Sequence, residues 1–332
     1  MAREWTSQDI LRLSGSYWAT CSLQAAVVLD LFTALHDGAK EEDALAAELA
    51  CDARAFAMLS GSLSAQGFIE RDGGMVTAPP SALRFLSAKS PDYLGFIIKH
   101  HAKIMPAWTK LDQAVRSGKS TAESRSIDSD DPAAREAFLM GMFNIARLQA
   151  DKIADVLDLS GRNRLIDVVG GPGTYAIYFC LKNKELKATV LDFASTRPFA
   201  EKTIERFGLS GRVDFQEGDF TRAIPKGYDV AWLSQVLHGE SPEDAAAVVK
   251  KAAKSLNPGG LLCIQEFLLD DDRSGPLHAS LFSLNMLVQT PGGQAYSGKE
   301  LADMLRQAGA DSVRKLDIDL PQNCGIVVGE IP

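Results

Sequence analysis

The 332-residue chain has little that would suit it to a membrane, an oxidising compartment or a nucleic acid. No apolar run approaches the roughly 18 residues of a membrane span. The opening Met1-Ala2-Arg3-Glu4-Trp5 lacks the basic-then-apolar pattern of a secretion signal, so a cytoplasmic location without a membrane partner is expected. The five cysteines, Cys21, Cys51, Cys180, Cys263 and Cys324, lie far apart, with no Cys-x-x-Cys and no histidine at ligand spacing. Reduced thiols and no metal are therefore expected. Positive charge is also short: 35 Lys and Arg stand against 43 Asp and Glu, a net charge of −8. That balance argues against nucleic acid, whose binding depends on neutralising phosphates, and favours a small organic substrate.

What is present is a globular composition, 46% hydrophobic and 23% charged. One hydrophobic core usually stops growing near roughly 250–300 residues, so two domains are expected. The first, 1–112, reads as helices over Leu23–Leu35, Glu41–Leu49 and Ala53–Gln66, then two short strands around Asp72-Gly73-Gly74. Three helices and a hairpin in that order suggest a winged helix. The helix that would enter a DNA groove carries Arg54 as its only basic residue, and Glu70 and Asp72 sit on the wing, which weighs against DNA. Residues 113–136, rich in Ser, Asp and Arg, read as a connecting segment, and a helix from Ala137 opens the second domain, 137–332.

From Arg164 the chain alternates strands with helices: strands Arg164–Val169, Ala188–Asp192, Val213–Gln216, Tyr228–Ser234 and Gly260–Leu268, and helices Thr174–Lys182, Thr196–Phe207, Pro242–Leu256 and Lys299–Ala308. Such repeats predict a doubly wound, Rossmann-like, mainly parallel α/β sheet. Ser312–Leu320 and Cys324–Glu330 are joined by too short a loop for a parallel crossover, so the C-terminal strand is antiparallel.

The most informative stretch is Leu165 to Ala176, an apolar strand that stops at Gly170, Gly171 and Gly173 and then turns helical. The loose G-x-G-x-x-A spacing, with Asp192 19 residues beyond Gly173, is by itself equally consistent with a nicotinamide cofactor. Two features favour S-adenosylmethionine. Asp167, at the strand end, would repel a pyrophosphate but attract an ammonium. Glu217-Gly218-Asp219-Phe220, after the third strand, offers an acceptor for an adenine amino group beside an aromatic face. Four acids around one pocket suit a cationic ligand.

With these residues assembled, the chain resembles the class I S-adenosylmethionine-dependent O-methyltransferases of the caffeic-acid and hydroxyindole type, bacterial branch. The resemblance runs through Pro91-Asp92-Tyr93-Leu94-Gly95, His100-His101, Pro106-Ala107-Trp108, the glycine turn, Gly218-Asp219-Phe220, Val236-Leu237-His238 and Pro291-Gly292-Gly293. It implies that the first domain pairs two subunits into a homodimer and closes over the neighbour's active site. It further implies that Gly170, Gly171 and Gly173 pack against the cofactor, Asp192 binds its ribose, and Asp219 with Phe220 holds the adenine. Ser234 and Gln235 would border the methionine end, and S-adenosylhomocysteine would be the product.

Transfer to oxygen benefits from a base. His238 follows the fourth strand at the carboxyl edge of the sheet, and histidine titrates near neutrality. In the family, the carboxylate at the place of Glu266 orients that histidine. The acceptor is expected against Met142 and Phe143 of the helix 138–147, against Phe282, Asn285 and Met286, and against Trp108 from the first domain. The chain departs from the plant pattern at Gly239-Glu240, where plant members have Asp-Trp, and at Ala295, where they carry a second histidine-orienting glutamate. The expected activity is methyl transfer to a phenolic or enolic hydroxyl of a small ring-containing acceptor. The alternatives are C-methylation on the same scaffold and a cofactor-binding member that has lost transfer.

Overall fold

The computed structural model describes residues 4–123 and 131–332. They divide into two compact units, Met1–Lys103 and Ile104–Pro332. Of the expected connecting segment 113–136, residues 124–130 lie outside the described residues.

In the first unit, helices Ser7–Gly15, Tyr17–Val28, Leu31–Ala34, Glu42–Glu48, Ala53–Ala65 and Pro80–Leu86 accompany three strands, β1 (Lys40–Glu41), β2 (Glu70–Asp72) and β3 (Met75–Thr77). Short polar side chains start several of the helices. Thr6 and Asp9 form a reciprocal cap, and Asp52 accepts from the backbone N–H of Ala55. Gly73 and Gly74 both take positive φ, the conformation a two-residue hairpin turn requires. The hairpin gains a third strand that periodicity did not reveal, because two residues are too few to show alternation: Lys40 pairs antiparallel with Val76. Leu31, Phe32, Leu45, Phe56, Leu63, Ile69 and Val76 form the core of this unit.

In the second unit the described residues form an eight-stranded sheet from β4 (Arg164–Val168), β5 (Lys187–Asp192), β6 (Val213–Glu217), β7 (Tyr228–Ser234), β8 (Leu256–Leu269), β9 (Tyr296–Ser297), β10 (Asp311–Lys315) and β11 (Cys324–Ile331). The order is β10-β11-β8-β7-β4-β5-β6, with β9 paired to the end of β8. Strands β6, β5, β4, β7 and β8 run parallel; β11 lies antiparallel between β8 and β10. The order reverses between β4 and β7, the place where doubly wound sheets bind ligands.

Alternation along each strand feeds two cores. Leu165, Val190, Trp232 and Cys263 face Ile153, Tyr175, Phe179 and Ile204. Ile166, Leu191, Leu233 and Ile264 face the opposite layer of Ala245, Val249, Leu301 and Leu305.

Several boundaries differ from the sequence reading: the helix expected over Leu23–Leu35 is split into Tyr17–Val28 and Leu31–Ala34, and the strand expected from Gly260 begins at Leu256. The helix expected from Ala137 begins at Pro132, because Asp131 caps it by accepting from Ala133 and a proline is preorganised at its first turn. The strand expected over Ser312–Leu320 ends at Lys315; Leu316, Ile318 and Leu320 keep a strand-like alternation but use it to fill the core beyond the ladder. Among the described residues, no helix is long and apolar enough to cross a membrane, and no group of three or more His, Cys, Asp or Glu is placed to hold a metal.

Candidate active site

The glycine turn is built at the reversal of strand order. After β4, Val169, Gly171 and Gly173 all take positive φ, so the chain folds back sharply into the helix Thr174–Lys182. At Gly170 the reason for glycine is contact: a Cβ there would lie 2.6 Å from the carboxyl carbon of Asp167. Asp167 itself is 0% exposed. One carboxyl oxygen accepts from Ala176 N at 3.3 Å, and the other has no hydrogen-bond partner among the described residues. Burial, with the charge of nearby Asp192 adding to it, pushes its pKa up to about 7.

Asp192 is also buried but well supplied with donors. It accepts from Gly171 N at 2.8 Å, Phe193 N at 2.7 Å and the Thr196 hydroxyl at 3.2 Å, which ties the glycine turn to the end of β5. Burial raises its pKa and these bonds work in the opposite direction. Next to it, Gly218 N donates to the Asp192 carbonyl. Asp219 accepts from Thr221 N and its hydroxyl at 2.9 and 2.6 Å, and the hydroxyl bond leads the lowering of its pKa. An open pocket of about 440 Å³ runs along Leu191, Glu217, Gly218, Asp219 and Ile224. Phe220 is buried in the core with its ring edge against Phe193 at 5.9 Å. Phe193, directly after Asp192 and half-buried, is thus an aromatic ring at this site that the sequence reading missed. Its adjacency to Asp192 was the available signal.

Across the reversal, β7 ends at Ser234, whose hydroxyl donates to Gln265 Oε1 at 2.6 Å. Gln235 follows at φ +58°, a left-handed conformation that is uncommon outside glycine and concentrates at functional sites. The next turn, Leu237–Gly239, carries His238. Glu266, on β8 and 1% exposed, receives three groups of this turn: Leu237 N at 2.9 Å and His238 N at 3.3 Å on one oxygen, and His238 Nδ1 at 2.6 Å on the other. Since Nδ1 meets a carboxylate, the ring presents Nε2 as its proton-accepting nitrogen. The Phe282 ring stands edge-on to His238 at 4.7 Å and is backed by Phe267 at 4.6 Å. Gly293 presses on the same turn; a Cβ there would fall 2.3 Å from the His238 carbonyl oxygen.

Among the residues expected at the acceptor, Trp108 falls in the second unit, where its indole N–H donates to Asn285 Oδ1 at 2.8 Å. Met286 is buried and Met142 half-buried. The structure places Phe143 in the core, its ring 6.3 Å from that of Phe207. Buried Gln149, whose amide donates to the Tyr175 hydroxyl at 3.1 Å, was not singled out from sequence, since a lone glutamine in a helix carries no pattern.

A family model for the O-methyltransferase domain matches residues 108–311. The chain belongs to this O-methyltransferase family. The 3-hydroxy-5-methyl-1-naphthoate 3-O-methyltransferase of Streptomyces sahachiroi is 33% identical to it over 96% of this chain and 93% of that one. PigF of Serratia sp., in its solved structure with SAH, superposes with a TM-score of 0.91 at 26% identity, covering 98% of this chain and 100% of that one. An O-methyltransferase family protein from Burkholderia thailandensis gives 0.88 at 28% identity, with 99% of each chain covered. The protein is therefore an S-adenosylmethionine-dependent O-methyltransferase. The methyltransferase's own residues fit that cofactor: a buried carboxylate with one oxygen unpartnered among the described residues suits an ammonium, and the glycine turn leaves Gly171 in open space.

Proposed function

We propose that the methyltransferase alkylates a hydroxyl, phenolic or enolic, on a small ring-containing acceptor, with His238 as general base and Glu266 as its orienter. The 2.6 Å contact of His238 Nδ1 with a buried carboxylate carries this reading, because it selects the tautomer that can take a proton on Nε2. When bound, S-adenosylmethionine supplies an electrophilic methyl group on a sulfonium centre. Asp167 would attract its ammonium, Asp192 accept from its ribose hydroxyls, and Asp219 with Gly218 border its adenine, with Phe193 and Phe220 as the nearby rings. Ser234 and Gln235 would border the methionine end. Phe282, Met286, Asn285, Trp108 and Met142 would shape the acceptor's surroundings, and Phe143 would support them from the core.

The first unit, with its three-stranded sheet beside the helix Ala53–Ala65, fits a winged helix within the proposed domain 1–112. It would pair two copies of the chain: Leu11 at 71% and Trp18 at 69% exposure, with Leu13 and Tyr17, are large apolar side chains left exposed on its first two helices, and Trp5 is exposed just before them. The domain 137–332 would hold the chemistry. Five free thiols agree with a cytoplasmic enzyme. A second reading, C-methylation, draws on the L-tyrosine C(3)-methyltransferase of Streptomyces lavendulae, 31% identical over 58% of this chain. Incubating the enzyme with cofactor and a panel of phenols and hydroxynaphthoates should release S-adenosylhomocysteine and give products whose new methyl resonance is an O–CH3. A C–CH3 resonance would select the second reading, and no release from any acceptor would sink both.

Asp167 predicts a pH dependence of binding. An ammonium partner needs the carboxylate, so S-adenosylhomocysteine affinity should rise about tenfold per unit from pH 5 towards 7 and level off above, because a proton must leave Asp167 at lower pH. Titration calorimetry should show the slope in the native protein and lose it in Asp167→Asn. For the free fold the sign is opposite. The unfolded chain gives up this proton near 3.8, so stability falls as pH rises from there to about 7.

A further inference from the structure

Ala295 stands where the plant pattern would place a second histidine-orienting carboxylate, and here that position has no polar task. The alanine is buried, packs in the core that includes Ala279 and Phe267, and uses only its backbone, donating to the Ser283 hydroxyl at 3.2 Å. The adjacent side chain does something else. Tyr296 is buried on the opposite face of the sheet, and its hydroxyl donates to the carbonyl oxygen of Glu240 at 2.9 Å.

We propose that Tyr296 is a positioning residue for His238, fixing through the backbone the turn whose other end is fixed by Glu266. The turn 237–240 is closed internally by Glu240 N donating to the Leu237 carbonyl at 3.0 Å. Glu266 holds its first half through Leu237 N, His238 N and His238 Nδ1, and Tyr296 holds its last residue. Both anchors share one frame. Tyr296 lies in β9, which pairs with β8 at Leu268, two residues beyond Glu266. The turn that carries the histidine is thus pinned at two points to a single pair of strands, with the backbone of Gly293 packed against its outer side. Burial, reinforced by the carboxylates of Glu266, Glu300, Glu240 and Glu243, raises the Tyr296 phenol, so it stays a protonated donor at any working pH.

This inference rests on His238 being the base, and the experiment separates the two. Tyr296→Phe keeps the ring in the core and removes only the hydroxyl. In the native background it should lower kcat about tenfold, because a base displaced by a fraction of an ångström loses alignment with its proton. Acceptor KM and S-adenosylhomocysteine affinity should stay within roughly twofold of native, the mark of a lost transition-state contact rather than lost binding. In a His238→Ala background the same change should have no further effect on the residual rate. An equal drop in both backgrounds, or a parallel loss of S-adenosylhomocysteine affinity, would overturn the positioning role alone. A native rate in His238→Ala would overturn the base assignment itself, and it is read from the single variant.

Discussion

Replacing His238 with alanine should lower kcat by about 10²–10⁴-fold, the usual contribution of a positioned general base, while S-adenosylhomocysteine binds nearly as before. The separation is expected because most of the proposed cofactor residues stand at the ends of β4, β5 and β6, with only Ser234 and Gln235 near the histidine's turn after β7. Removing the imidazole leaves Glu266 with two backbone donors, Leu237 N and His238 N, so the buried carboxylate keeps partners and the turn keeps its anchor. Rate loss without loss of cofactor affinity is therefore the expected pattern, measured by single-turnover kinetics beside calorimetry. Acceptors with more acidic hydroxyls should suffer less, since they arrive partly ionised and need the base less. A variant with undiminished turnover on such a series would remove His238 from the chemistry.

The second large effect concerns stability. Trp232 is fully buried in the middle of β7, with its ring 5.0 Å from Phe179 and 5.2 Å from Tyr175. Truncating it to alanine should cost about 3–5 kcal/mol, the sum of lost burial and the cavity left among neighbours that cannot collapse. In a unit of this size that corresponds to a fall in Tm of roughly 6–20 °C, measured by calorimetry. Trp232→Phe should cost much less. It retains an aromatic ring against Phe179 and removes an indole N–H that has no hydrogen-bond partner among the described residues. If alanine and phenylalanine were equally damaging, ring packing would not be what holds β7.

The parts of the fold that repeat were open to reading. Apolar strands followed by amphipathic helices have their own periods, so Tyr228–Ser234 and Thr174–Lys182 were placed to the residue. Glu266 was singled out because the family resemblance implies a histidine-orienting carboxylate at its place, on the strand beside the one that leads to His238. Contacts made by single residues in irregular chain were harder to see. Nothing in the sequence says that Asp192 spends its oxygens on Gly171, Phe193 and Thr196, or that Phe220 turns into the core and leaves Phe193 half-exposed. The hydrogen bond from Tyr296 to Glu240 joins residues 56 apart with no shared pattern, and β1 is too short to have a period.

The antiparallel pairing of β11 with β8 also bears on the order in which the protein is made. Residues Cys324–Phe267 through Ile331–Gly260 are matched across this ladder, so β8, paired early with β7 and at its far end with the two-residue β9, has this long edge covered only once residues 324–331 have been made. Until then, a nascent chain on the ribosome presents β8 as a long apolar edge with unpaired backbone groups, the kind of surface that recruits other strands. Glu266, with its bond to His238, is therefore sealed between neighbouring strands later than the glycine turn. The glycine turn that follows β4, between β5 and β7, already has both neighbouring strands once the chain has been made through residue 234.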